Sequence, residues 1–242
     1  MSNHDMDEWL DSPQGRYIMT WEHARVTALV SDLFGYNALQ LGLPQIRLLE
    51  QNRIPLRQIA GDTGPVDVLC DMHELPFSAN SIDLVVLPHV LEFHDDPHQI
   101  LREVERILIP DGQLIVTGFN PLSLWGLRRK LPGGKEDFLA QGNFISVLRM
   151  RDWLHLLSFE VDRGNFGCYA PPFRHEHWLK RCHFMEAAGD RWWSFAGGAY
   201  VLRAVKRVRG MRLVLPGWNT RKKASHKALT TVTHKELDQR EL

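Results

Sequence analysis

The stretch from Ser81 to Asn120 constrains the fold of this chain most. Two short runs, "IDLVVLPHV" and "GQLIVTGFN", are β-branched or Leu-rich and bounded by turn residues, a pattern that suits strands buried on both faces, as in a parallel sheet. Between them lies "DDPHQILREVERILIPDG". Asp96 is placed to cap a helix there and Pro97 fits its first position. Ile100, Leu101, Val104, Ile107 and Leu108 form one apolar stripe that "IPDG" ends. Strand, helix and strand in this order predict a right-handed crossover between parallel strands.

The remaining elements extend that unit. "MTWEHARVTALVSDLF" has mostly helical apolar spacing and stops at Gly35, and "NALQLG" follows directly as a buried strand running into a glycine turn. From Val66, "VDVLCD" reads as another strand. After Asn120 come a Pro/Gly-punctuated basic segment, a helix around "SVLRMRDWLHLLSF", a strand at "FEVDRG" and a loop "NFGCYAPPFRHEHWLKRCHF". A last strand lies in "GGAYVLRAVKRV", and beyond Pro216 the sequence is polar, basic and aperiodic. A chain of 242 residues suits one α/β domain with additions. The expected organisation is a helical segment over 1–35, an α/β domain over 36–210 and a basic, mobile tail over 211–242.

A hydrophobic fraction of 44% with 24% charged residues excludes disordered and fibrous classes. The formal net charge is zero but unevenly spread: from Arg203 onward 11 Lys and Arg face 3 Asp and Glu, a balance of +8 that leaves −8 for the rest. Such a tail is either solvated or in contact with an anionic partner, nucleic acid included. The three cysteines, Cys70, Cys168 and Cys182, form neither a disulfide framework nor a C-x-x-C pair, which fits a reducing, cytoplasmic setting. No basic leader followed by an apolar core and no run of about 18 apolar residues occurs, so neither export nor a membrane span is expected.

In an open parallel sheet the ligand crevice lies at the carboxyl ends of the strands. The residues in question are Gln40 to Pro44, Asp71 to Glu74, Leu87 to Glu92 and Thr117 to Leu122. The block "VLCDMHELPFSANSIDLVV", continued by "PHVLEFHDDPHQILREVERILIPDGQLIVTGFNP", resembles the central block of class I S-adenosylmethionine-dependent methyltransferases over Val66 to Asn120. "GGAYVLRAVKR" resembles that family's final antiparallel strand, and "GFNPLSLWGLRR" is similar to a divergent bacterial subgroup. The resemblance implies an α/β, Rossmann-like class I methyltransferase fold: a mostly parallel central sheet, helices on both faces and an antiparallel final strand. It also implies S-adenosylmethionine as cofactor, with Asp71 accepting from the adenine amino group, Met72 packing on the adenine ring and Leu87 at the site's edge.

The family's first motif is an acid followed by G-x-G-x-G, whereas this chain has "LQLGLP". Gln40 replaces the acid, Gly42 is kept, and Leu43 and Pro44 stand where small residues are expected. Gln40 can offer an amide but no charge to an ammonium group, which weakens cofactor binding. Gly42 and Asp71 are 29 positions apart, fewer than the family usually has, so a helix is expected to be missing or reduced. Asp62, 20 positions after Gly42, has the spacing of a ribose-binding acid but also of a plain turn.

His89 is the candidate general base facing the acceptor, with Glu92 behind it; a buried His with both nitrogens satisfied is the alternative. "RHEHW" and "RCH" match no standard metal spacing, so no metal is expected. Trp178, Phe184, Trp192, Trp193 and Phe195, interleaved with Lys180, Arg181 and Arg191, read as ordinary packing or as a lid over an apolar or planar substrate. The leading expectation is methyl transfer to a small, unidentified acceptor. Its rivals are a non-catalytic binding or regulatory descendant of the fold and a nucleic-acid-associated protein that uses the tail.

Overall fold

The computed structural model describes residues 3–130, 139, 141–173, 175–182 and 184–208. The expected mobile tail of 211–242 lies outside these residues. Seven strands form one sheet in the order β3-β2-β1-β4-β5-β7-β6. They are β1 (Asn37–Leu41), β2 (Leu56–Gly61), β3 (Val68–Leu69), β4 (Ile82–Pro88), β5 (Leu108–Phe119), β6 (Phe159–Gly167) and β7 (Ala199–Lys206). The first five run parallel, and β7 is antiparallel to both β5 and β6.

Strand alternation sorts the core into two layers. Leu39, Leu41, Val85, Leu87, Leu114 and Val116 face α3 (Pro97–Ile107) and α5 (Val147–Leu156), which contribute Ile100, Leu101, Val104, Met150 and Leu154. Ala38, Leu84, Val86, Ile115 and Val201 point the other way, onto Val26, Leu29 and Val30 of α2 (Pro13–Val30). The α3 helix forms as its sequence predicts: the Asp96 carboxylate accepts from the Gln99 N–H at 3.0 Å, Pro97 opens the helix, and the apolar stripe is wholly buried.

Several elements depart from expectation. The single N-terminal helix is two, α1 (Asn3–Asp11) and α2, separated by Ser12, whose hydroxyl caps α2 by accepting from the Gly15 N–H. Between β1 and β2 there are only turns, so the reduced segment contains no helix. "LRQIAG", not recognised as a strand, is β2, and "VDVLCD" yields only the two-residue edge strand β3. The aromatic loop contains two short helices, α6 (Glu176–Arg181) and α7 (Phe184–Trp192). A third apolar cluster lies beyond the carboxyl ends of the strands and joins Met6 and Trp9 of α1 to Ile18, Leu43, Phe119 and Trp125.

Candidate functional site

The crevice at the carboxyl ends of β1, β2 and β4 is lined by Gly42, Leu43, Asp62, Met72, His89 and Phe93, together with Met6 of α1. Its glycine turn is built by Gln40, which is fully buried in β1. The Gln40 amide Nε2 donates to the carbonyls of Gly42 and Leu43 at 3.0 Å and of Ile46 at 2.8 Å, and its Oε1 accepts from the Leu48 N–H at 3.0 Å. A carboxylate could accept from Leu48 but could not donate to three carbonyls. Gln40 therefore holds the turn from behind, with its amide hydrogens turned to its own loop.

Gly42 has a φ of 77°, and a Cβ there would lie 2.8 Å from Val90 Cγ2. The next residue, Leu43, also has a positive φ, 46°, which favours glycine and which a leucine adopts at a cost of about 1–2 kcal/mol. Burial of its side chain with Met6, Trp9 and Phe119 offsets that cost.

The acidic candidates sit differently from their sequence reading. Asp62 follows β2 directly and lines the crevice; its carboxylate accepts from the Thr63 hydroxyl and lies 3.9 Å from His94 Nε2. Asp71 is outside the crevice, its side chain 67% exposed and turned to its own loop, where it meets the His73 N–H at 2.8 Å and His73 Nδ1 at 2.9 Å. Those contacts hold its carboxyl below the usual range. Met72 is buried and lines the crevice beside Gly42. Leu87 lies within the core of β4, and Pro88 is the strand residue that reaches the crevice. Of the cofactor candidates, the structure thus brings Gly42 and Met72 together with Asp62. Asp62 was named from its spacing alone; its place directly after a strand end becomes visible only with β2, which the sequence reading lacked.

His89 has a φ of 52° and is buried between two carboxylates. Its Nε2 is 2.8 Å from Glu22 Oε1 and its Nδ1 2.8 Å from Glu92 Oε2, while its ring stacks on Phe119 at 4.2 Å. The outer oxygens are also engaged: Glu22 Oε2 accepts from the Thr117 hydroxyl and Glu92 Oε1 from the Phe119 N–H. Burial alone would lower the imidazole pKa, but the charges and hydrogen bonds of Glu22 and Glu92 outweigh it and push the value up to about 10. Burial also raises Glu92, against the pull of His89. An imidazolium donating from both nitrogens has no lone pair with which to take a proton from an acceptor. In this arrangement His89 ties α2 to the ends of β4 and β5.

The chemistry of the crevice suits a nucleoside cofactor: a left-handed glycine turn, an acid after the second strand and an apolar wall. Its space does not. The cavity is about 60 Å³, against roughly 300–1,000 Å³ for sites that enclose small molecules. The crevice as it stands therefore does not fit S-adenosylmethionine.

Comparison with known proteins gives the same frame. A family model described as a methyltransferase domain matches residues 40–116. The chain is 32% identical over 157 residues to an uncharacterized Escherichia coli protein, YafS; the match covers 64% of this chain and 65% of the relative, less than two thirds of its length. It is 30% identical over 113 residues to the ubiquinone/menaquinone biosynthesis C-methyltransferase UbiE of Cellvibrio japonicus, covering 46% of this chain and 42% of that one. Among solved structures, a SAM-dependent methyltransferase of Thermotoga maritima, possibly a histamine N-methyltransferase, superposes with a TM-score of 0.57 at 19% identity, covering 84% of this chain and 99% of that one. With its sheet order, antiparallel final strand pair and a methyltransferase-domain match over residues 40–116, the chain has the Rossmann-like fold of class I S-adenosylmethionine-dependent methyltransferases.

Proposed function

We propose that this protein is an S-adenosylmethionine-dependent methyltransferase with a small acceptor, acting in the cytoplasm, and that the described structure is its closed form. The observation that carries the reading is the meeting of Gly42, Asp62 and Met72 in one crevice at the carboxyl ends of the parallel strands. The cofactor supplies an electrophilic methyl group when bound; the chain supplies position and exclusion of water. In an opened crevice Gly42 would let the backbone approach the cofactor, Asp62 would accept from ribose hydroxyls and Met72 would pack on the adenine. Asp71 joins the adenine side only by turning away from His73. Gln40 acts through the turn, and His89 is a positioning residue that keeps the floor of the crevice in place.

For the cofactor to enter, Met6 and the α1 helix must move away from the crevice. Asp62→Ala should weaken S-adenosylmethionine binding by about 1–3 kcal/mol, the usual cost of losing a hydrogen-bond partner for a polar ligand, as read by calorimetry. Unchanged affinity would remove Asp62 from the site.

A second reading, a methyltransferase-like binding protein without catalysis, is favoured by the same small cavity and by the commitment of Gln40 to its own loop. The two differ in whether the cofactor binds at all. The nucleic-acid reading depends on residues outside those described.

A further inference from the structure

Beyond the carboxyl end of β5 lies a second cavity of about 660 Å³. It shares no lining residue with the cofactor crevice. One wall is Leu122 with Leu124 and Leu127 of α4 (Leu124–Lys130), and the other is Phe184 and Met185 of α7 with Trp193. The Tyr169 ring also lines it; a Cβ on Gly189 would lie 2.2 Å from Tyr169 Cγ, so glycine is what lets α7 close down on the ring.

Among the described residues, no carboxylate, guanidinium, ammonium or imidazole lines this cavity. The Ser123 hydroxyl donates to the Asn120 carbonyl at 2.6 Å and accepts from the Gly126 N–H at 3.2 Å, so it is occupied within its own turn. Three of the largest lining side chains nevertheless face water: Leu122 is 71% exposed, Phe184 70% and Trp193 57%. Grouped apolar side chains around a concavity mark a binding site, and hydrocarbon that covers them gains roughly 25 cal/mol per Å². The volume falls in the range of small-molecule sites. Uncharged walls complement neither phosphate nor a charged peptide, and unbranched Met185 adapts to a flexible occupant.

We propose that this cavity binds the hydrocarbon part of a small amphiphile, a single alkyl or isoprenoid-type chain. The site is independent of whether the crevice binds a cofactor. It also gives the aromatic segment a use: Phe184 and Trp193 are the lips of the cavity.

The test is titration of the full chain, without cofactor, with monomeric 11-(dansylamino)undecanoic acid, followed by displacement with dodecanoate. Saturable, blue-shifted emission with a single site, reversed by dodecanoate, is expected. Ala188→Trp, which fills the cavity, and Leu127→Glu, which places a carboxylate at its edge, should each weaken binding at least tenfold. Leu156→Glu, at an exposed position of α5 outside the cavity, should leave it unchanged. Circular dichroism melts establish that the variants fold; if Ala188→Trp does not, Leu127→Glu decides. Absence of saturable binding, or wild-type binding by a folded Leu127→Glu, would overturn the proposal. So would cosedimentation with phosphatidylglycerol vesicles in a protein that ignores the monomeric probe, which would make the patch a membrane-docking surface.

Discussion

At the scale of single residues, the glycine turn is held by a group the family motif does not contain. Gln40→Glu removes the donor to three loop carbonyls and should destabilise the fold by about 1–3 kcal/mol in urea unfolding; wild-type stability would show that the loop does not depend on the amide. The His89 network makes a second demand. His89→Ala leaves Glu22 and Glu92 buried without their shared cation and should cost about 3–5 kcal/mol. Because the folded pKa of His89 lies above its ordinary 6.5, its contribution is complete below about pH 6.5 and is lost as pH rises toward 10. Glu92, raised by burial, acts in the same direction, since the folded state holds its proton more tightly. Unfolding free energy should therefore fall between pH 6.5 and 9.5, and His89→Gln should flatten that slope when both proteins are compared by denaturant titration. The place of Gly42 and Met72 in the crevice was legible because a left-handed turn and an apolar residue after a strand carry local signals. Gln40 was legible only as a departure from a motif, since its three carbonyl partners come from the folded path of the loop.

At the scale of elements, the proposed entry of a cofactor requires α1 to move, because its Met6 lines the crevice. Met6→Ala removes a side chain that lines the crevice, and should cost about 2–5 kcal/mol of stability while tightening S-adenosylmethionine binding severalfold. Equal affinity in the variant and wild type would mean that α1 is no obstacle. The α3 helix was readable to its cap because Asp96, Pro97 and a strict apolar stripe all agree. Strand β2 was not, because only Ile59, Ala60 and Gly61 of its six residues are buried while Leu56 and Arg57 face water, so neither alternation nor a continuous apolar run appears. That omission left Asp62 a candidate on spacing alone, without the strand end that places it in the crevice. Helices α6 and α7 were hidden by the Pro, His and aromatic content of their segment, where no helical stripe stands out.

At the scale of the whole molecule, the mostly parallel sheet and the antiparallel β7 are those of the class I methyltransferase fold and were expected from the central block and the final apolar strand, while the strand order itself was not read from the sequence. The shape of the crevice was not, because it depends on an N-terminal helix meeting residues more than a hundred positions away, Phe119 and Trp125 among them. No helix among the described residues is long and apolar enough to cross a membrane. The proposed function requires a one-glycine turn lined by Met6 of α1 to bind the cofactor. The most direct measurement is titration of the full chain with S-adenosylmethionine and S-adenosylhomocysteine by calorimetry, with a parallel thermal-shift series. A ligand that binds only the folded state must raise stability, by about 2.7 kcal/mol at a hundredfold excess over Kd. Micromolar binding, with a melting temperature that climbs with ligand concentration and an affinity reduced by Asp62→Ala, is the predicted result. A folded protein that shows neither heat nor a shift at millimolar ligand would contradict the account and leave the fold as a scaffold for another partner.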